Sequence, residues 1–288
     1  MKILNGTALA KKIKLVLAIE IEYLMKKHER APKLCIILVG DDPVSISYVQ
    51  NKKKSCNEIG ILCDLSILPY STTQDELLAL IETLNNHVDV DGILVQLPLP
   101  KHIDQTVVLQ AIDYKKDVDG LHPMNVGLLN ISPDAIIPCT PKGILSLLKA
   151  EDIPITGKHC VIIGRSNLVG KPMAQLMLRE NASVTVCHSK TKDLACLTQQ
   201  GEILIIAIGH RQLVNADMLK EGAVVVDVGI NNVDGKLVGD IYNSIDVTNI
   251  EKKAAAITPV PGGVGPMTIA SLLENVVEVY KRSVRNEE

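Results

Sequence analysis

Tryptophan and phenylalanine are both missing from this chain, and aromatic residues make up only 2% of it. Its cores must therefore be aliphatic, and stacking on a flat ligand falls to six tyrosines or to peptide planes. No long basic run is present and the net charge is −3, which gives nucleic acid no electrostatic footprint. No apolar stretch is long enough to span a membrane. Leu15 to Ile19 is apolar but is bracketed by Lys11, Lys12, Lys14, Glu20 and Glu22, and no small-residue cleavage site follows it. With Leu9, Ile13, Val16 and Leu24 at helical spacing, the segment reads as an amphipathic surface helix, and the cytoplasm follows as the expected compartment. The seven cysteines include no C-x-x-C pair, and their odd number argues against a disulfide framework. Free thiols in a reducing compartment are expected, with no zinc or other metal site.

What the chain does contain is enough for two domains with good cores: 288 residues, 47% hydrophobic and 22% charged. Its most informative stretch is Cys160-Val-Ile-Ile-Gly164-Arg165-Ser166-Asn-Leu-Val-Gly170-Lys-Pro-Met173. A β-branched run ends in glycine, small residues and a second glycine follow, and a helix begins near Pro172. Unpaired N–H groups in the first helical turn and the positive end of the helix dipole favour a phosphate there. The spacing is G-x-S-x-x-x-G, a variant of the dinucleotide fingerprint; a glycine turn that only packs helix on strand is the alternative. Ser183 to Cys187, Ile203 to Ala207 and Val224 to Val228 read as further short buried parallel strands with crossovers between them. An NAD site usually places a carboxylate about 20 residues beyond the first glycine, at the end of the second strand. That strand here ends in His188-Ser189-Lys190, so nothing repels a 2′-phosphate, and Arg165, Ser189 and Lys190 are able to bind one. NADP is favoured over NAD, with a solvated basic turn as the alternative.

Towards the N-terminus the pattern is again strand and helix. Lys33 to Val39 is a strand, and Gly40-Asp41-Asp42-Pro43 turns into a helix that ends near Gly60. A strand at Ile61 to Leu68, a helix at Gln74 to Leu84, a strand from Gly92 to Leu97 and a helix at Ile103 to Ile112 follow. The chain crosses between domains near Asp117 to Pro141, where the polar, turn-rich run Asp117-Val-Asp119-Gly-Leu-His-Pro-Met-Asn125 and the dipeptide Thr140-Pro141 suit a connector, and Gly143 to Lys149 a joining helix. Thr258 to Thr268 is a proline and glycine loop into a last helix that extends to about Arg282, with fraying beyond.

On the helix after Pro43, Tyr48 and Lys52 are one turn apart and share a face. A lone surface lysine is ordinarily a solvated charge. Gln96, at the end of a strand before Leu97-Pro98-Leu99-Pro100, and Asp119, in a turn, lie where α/β proteins gather their ligands, and ordinary capping is the alternative for each. A partly buried lysine beside a neutral amide is suited to general acid and base work.

Several separated motifs, in order, carry a resemblance. Val39-Gly-Asp-Asp-Pro-Val-Ser45-Ile-Ser-Tyr48-Val-Gln-Asn-Lys52, Val95-Gln96-Leu-Pro-Leu-Pro100, Lys116-Asp-Val-Asp119-Gly120, Cys139-Thr-Pro141, Gly164-Arg-Ser166 and Pro261-Gly-Gly-Val-Gly-Pro266 together resemble the bifunctional methylenetetrahydrofolate dehydrogenase/methenyltetrahydrofolate cyclohydrolase family. The resemblance implies a catalytic set of Lys52, Gln96 and Tyr48: Lys52 moves protons in the cyclohydrolase step, Gln96 holds it, and Tyr48 stacks on the substrate. It implies folate contacts from Tyr48, Asp119, Pro261, Gly262 and Gly263, with Asp119 on the amino-pyrimidine edge, and cofactor contacts from Gly164, Arg165, Ser166, Ser189 and Ile230. The implied reaction is NADP-dependent oxidation of 5,10-methylenetetrahydrofolate to the methenyl form and its hydrolysis to 10-formyltetrahydrofolate. Purine, methionine and histidine biosynthesis would draw on the product. Tetrahydrofolate derivatives are the implied partners, with a homodimer and no membrane or nucleic acid. The chain departs from the family's usual pattern at Leu128, where arginine is frequent, at Gly209-His210-Arg211, which lacks a common proline, and at Gly239-Asp-Ile-Tyr-Asn243, which lacks a second aspartate.

The expected architecture is α/β, with two α/β domains flanking a cleft and the second a Rossmann-like parallel sheet. Residues 1–138 form the folate-binding catalytic domain, with helix 267–288 packing back on it, and residues 139–266 the NADP-binding domain. An amino- or hydroxy-acid dehydrogenase with Lys52 as its base is the rival enzyme class. A dinucleotide sensor without turnover is the third reading.

Overall fold

The computed structural model describes residues 1–209, 213–233, 236–241 and 247–285. Its contacts divide the chain into two units, one comprising Met1–Lys11 with Thr140–Thr268 and the other Lys12–Cys139 with Ile269–Glu288.

In the second of these units, three parallel strands lie in the order Leu62–Leu68, Lys33–Val39, Gly92–Val95. The middle strand is an unbroken apolar run because it is covered on both sides. Leu34, Ile36 and Leu38 face a core built with Leu17, Ile21, Val49, Cys56, Leu273 and Val276. Their alternates Cys35, Ile37 and Val39 face a second core containing Leu77, Ile81 and Val108. The first core joins the helices Gly6–His28, Pro43–Glu58 and Val264–Arg285, and the second joins Gln74–Asn86 and Gln105–Ala111. Helix Pro43–Glu58 starts where it does because Asp42 accepts the Ser45 N–H at 2.8 Å and Pro43 occupies its first turn. Helix Gln74–Asn86 starts with a reciprocal Thr73–Glu76 capping box.

The other unit has a six-stranded parallel sheet ordered Lys2–Ile3, Ala256–Ile257, Val224–Asp227, Ile203–Ile206, His159–Ile163, Ser183–Cys187. Strand His159–Ile163 pairs with Ser183–Cys187 on one side and Ile203–Ile206 on the other. The chain thus leaves it in opposite directions, which creates a switch point at its C-terminal end.

Two readings need correction. Residues 1–11 do not join the first α/β domain, because Lys2 and Ile3 extend the six-stranded sheet by pairing with Ala256 and Ile257. Two residues are too short a strand to carry a periodicity signal. The run from Asp117 to Pro141 also contains a helix, Pro123–Ile131, which begins at proline and is capped by the His122 ring accepting the Met124 N–H at 3.0 Å. The helix expected at Gly143 to Lys149 is longer, Cys139–Ala150. His210, Arg211, Tyr242, Asn243 and residues 286–288 lie outside the described residues, while Arg285 still belongs to the last helix.

Candidate active site

Within the three-stranded unit, strand Gly92–Val95 delivers Gln96 at its C-terminal end, and the Gln96 N–H continues the ladder by donating to Ile37 O at 2.8 Å. The Gln96 amide Nε2 donates to Leu97 O at 2.6 Å, so its Oε1 must face the other way. There it accepts from the Lys52 ammonium at 2.9 Å. An ammonium has only donors and a peptide carbonyl only lone pairs, so this amide has one orientation that satisfies both. Lys52 is half-buried on helix Pro43–Glu58, with Tyr48 one turn before it and also half-buried. Burial raises the Tyr48 phenol above its ordinary value, which keeps it a neutral, partly desolvated ring beside the lysine.

Asp119 reaches the same end of the sheet. Asp117 bridges to Ile93, whose N–H donates to Lys116 O at 2.8 Å, so the chain from Lys116 runs parallel to the strand that ends in Gln96. Asp117 itself is buried, and its Oδ2 accepts the His122 N–H at 2.8 Å and the Asn125 amide at 2.9 Å. Burial pushes the Asp117 carboxyl upward despite those bonds. Asp119 is half-buried, and among the described residues its carboxylate accepts no hydrogen bond.

In the six-stranded unit, Gly164 follows strand His159–Ile163 with φ 127°, and a Cβ there would sit 2.3 Å from Ala207 O. A Cβ on Gly170 would sit 2.1 Å from Gly164 O. The two glycines therefore let the loop fold onto itself and let main chain approach whatever lies above it. Helix Gly170–Arg179 has no side-chain cap; in its first turn the Lys171 N–H donates to Ser166 O of the loop at 3.1 Å and Pro172 has no N–H. Arg165 and Ser166 are exposed on this loop, and the Ser166 hydroxyl accepts the Val169 N–H at 3.1 Å. Ser189 and Lys190 are exposed beyond the next strand, and Ile230 is exposed beyond Val224–Asp227. All of these follow the C-terminal ends of strands in one parallel sheet, with Ile203–Ile206 lying between the strand before Ile230 and the strand before Gly164.

Pro261, Gly262 and Gly263 belong to this unit, apart in sequence and in unit from Lys52. Gly262 O accepts the Thr7 N–H at 2.9 Å, and a Cβ on Gly6 would collide with Gly263 O at 1.8 Å. Both proline-rich loops contain a cis peptide, Leu97–Pro98 and Val260–Pro261.

Two aspartates were not singled out from the sequence. The buried Asp227 carboxylate accepts N–H groups of Gly229, Asp240 and Ile241 at 2.9, 3.0 and 3.0 Å. Asp240 in turn accepts those of Ile208 and Gly209 at 3.2 and 3.0 Å, and the Asn231 amide at 3.0 Å. Each needs a glycine opposite: a Cβ on Gly239 would lie 2.0 Å from Asp227 Oδ2, and one on Gly229 2.3 Å from Asp240 Cγ. Together they pin the loops after two central strands, including the loop that carries Ile230. Burial raises the Asp227 carboxyl. The sequence signal was an aspartate paired with a nearby glycine, at Asp227-Val-Gly229 and at Gly239-Asp240.

A family model described as tetrahydrofolate dehydrogenase/cyclohydrolase, catalytic domain, matches residues 4–119, and its NAD(P)-binding domain counterpart matches residues 138–284. The chain belongs to this family. The family's NAD(P)-binding model runs to residue 284 along the sequence, whereas contacts place Ile269 onward with the three-stranded unit. Among its relatives, the bifunctional protein FolD of Sulfurihydrogenibium sp. is 53% identical over 286 residues, covering 99% of each chain. The crystal structure of a bifunctional FolD from Campylobacter jejuni is 50% identical with a TM-score of 0.94 over 100% of both chains. A family member from Trypanosoma brucei, solved with NADP cofactor and an inhibitor, is 39% identical with a TM-score of 0.92 over 98% of each chain.

Proposed function

We propose that Lys52, held by Gln96 and flanked by Tyr48, carries the cyclohydrolase half of a two-step folate reaction, with Asp119 binding the pterin. The chain oxidises 5,10-methylenetetrahydrofolate and hydrolyses the resulting methenyl form to 10-formyltetrahydrofolate. The observation that carries the residue roles is the 2.9 Å bond from Lys52 to Gln96 at the C-terminal end of strand Gly92–Val95.

Hydrolysis adds a water oxygen to the methenyl carbon, removes both protons from that oxygen, and breaks the bond from the carbon to N5; one proton ends on N5 and the other is released to solvent. An amine that takes the first proton and returns it to N5 serves both steps, which is general acid and base catalysis by one group. Gln96 keeps the Lys52 amine in one place, and Tyr48 offers a flat face in a chain without Phe or Trp. The Asp119 carboxylate has two oxygens suited to paired N–H donors of an amino-pyrimidine.

NADP is the cofactor, and the loop's geometry fits it. The crowded Gly164–Gly170 turn, which lets main chain come close at the start of a helix, suits a pyrophosphate, and His188-Ser189-Lys190 presents no carboxylate against a 2′-phosphate. When bound, the nicotinamide supplies the hydride acceptor. Gly164, Arg165, Ser166, Ser189 and Ile230 would hold the nucleotide. Pro261, Gly262 and Gly263 would contact the folate.

The reading extends to residues 1–138 with the last helix as the catalytic part, less the eleven N-terminal residues, and to 139–266 as the NADP part. A cytoplasmic homodimer supplying purine, methionine and histidine biosynthesis completes it. Among the described residues, no helix is long and apolar enough to cross a membrane, and no cysteine is paired in a disulfide.

The test follows both activities in one assay. Lys52→Met should lose cyclohydrolase activity by at least about 100-fold while NADP reduction persists, so that the methenyl intermediate accumulates. Unchanged hydrolysis in that variant would overturn the assignment of Lys52.

A further inference from the structure

The carboxylate of Asp119 stands on a turn whose neighbours are all held. Gly120 takes φ 68°, and a Cβ there would meet Ile136 O at 2.6 Å and Pro138 N at 2.8 Å, so the turn is pressed against the segment 136–138. What joins those two segments comes from far along the chain. Asn275, on the last helix and 1% exposed, donates its amide to Val118 O at 2.8 Å and to Ile137 O at 2.9 Å. Val118 is the residue immediately before Asp119, and Ile137 lies on the segment against which Gly120 rests. The Cys139 thiol adds a weak donation to Val118 O at 3.4 Å. On the other side, Asp117 is tied to His122 and Asn125.

We infer that Asn275 is a positioning residue for folate recognition, setting the place of the Asp119 carboxylate by clamping the backbone on which it stands. The inference rests on the reading of Asp119 as the pterin-binding carboxylate. The physics favours clamping over simple space filling. An amide with two hydrogens on two backbone carbonyls fixes their separation, whereas an apolar residue of the same size would only fill the core. A carboxylate that must meet paired donors on a rigid ring tolerates little displacement.

The experiment is a double-mutant cycle on the full-length enzyme, with KM for methylenetetrahydrofolate, KM for NADP and kcat measured for Asn275→Ala, Asp119→Asn and the pair. Asn275→Ala should raise the folate KM about tenfold and leave the NADP KM and kcat within about threefold. That increase should vanish when Asp119→Asn is already present. Asn275→Ser, which keeps one donor on a shorter side chain, should recover part of the loss, and it carries the same cycle if the alanine variant does not fold. An unchanged folate KM in Asn275→Ala overturns the inference, as does an increase of equal size with and without Asp119→Asn. If Asp119→Asn alone leaves the folate KM unchanged, the reading of Asp119 falls and the inference falls with it.

Discussion

Replacing Gln96 by alanine should separate the two activities without touching the lysine itself. The side chain makes two bonds, one to Leu97 O that orients it and one that receives the Lys52 ammonium at 2.9 Å. A hydrogen bond to a charged group contributes about 1.5–3 kcal/mol, and each 1.4 kcal/mol in a barrier is about tenfold in rate. If the bond is what holds the amine over the reacting carbon, cyclohydrolase kcat should fall roughly 10- to 100-fold. Gln96 is half-buried at the end of its strand, so solvent can enter where its side chain is truncated, and the urea midpoint should barely move. The hydride step moves no proton through Lys52, so NADP reduction should stay within about threefold of wild type. Gln96→Glu keeps an acceptor at the same place but ties the amine into an ion pair, and should lose hydrolysis while dehydrogenation persists. The two steps are followed as nucleotide reduction and as decay of methenyltetrahydrofolate absorbance. Hydrolysis within threefold of wild type in Gln96→Ala, or both activities falling by one common factor, would refute the role given to this bond.

Two further changes test the supporting structure. Gly164→Ala forces a side chain into φ 127° and 2.3 Å from Ala207 O, at a cost of about 2–5 kcal/mol from backbone strain and overpacking together. NADP KM should rise at least about tenfold, whereas Gly157→Ala, with positive φ but no atom within 4 Å, should show only a small loss of thermal stability; equal behaviour of the two variants by thermal melt and NADP KM would contradict the crowded-loop argument. The Asp117 carboxyl, raised by burial, holds its proton longer folded than unfolded, so stability is greatest below the unfolded value of about 3.9 and is lost as pH rises through the folded value. Asp117→Asn should flatten that decline in urea midpoint as pH rises above about 4, because one amide oxygen can accept both the His122 and Asn125 donors that now fall on Oδ2.

Much of the fold was legible because its signals are local. Strand Lys33–Val39 is an unbroken apolar run from Leu34 onward, Ser183–Cys187 is a short β-branched run between turn residues, and helix Pro43–Glu58 announces itself by Asp42 and Pro43. Elements that draw their stability from elsewhere were not legible. Lys2–Ile3 is a strand only because Ala256–Ile257 lies open beside it, and helix Pro123–Ile131 hides in a run whose Asp117, His122 and Asn125 look like turn chemistry. In fact Asp117 accepts the His122 N–H and the Asn125 amide, which lets Asp117 and Asn125 leave solvent beside the buried Leu129.

The candidate site divides along the same line. Tyr48 and Lys52 share a face by helix geometry alone, and Gly164 and Gly170 announce a tight turn by identity alone. The groups that give those residues a fixed direction act across long stretches of chain. Lys52 meets Gln96 at a separation of 44 residues, and Asn275 reaches Val118 across 157. Such pairs leave no pattern in sequence, because each partner is an ordinary polar residue until the fold removes its water. Once buried, an unmatched amide or carbonyl is costly, so each partner becomes obligatory to the other. A site of this kind has reactive groups that sequence can nominate and a scaffold of long-range polar bonds that only the folded chain displays. Substitutions in that scaffold should therefore change KM or the ratio of the two activities at nearly wild-type stability only where, as at Gln96, solvent can replace the missing partner; at Asn275, with 1% exposure, stability should fall as well.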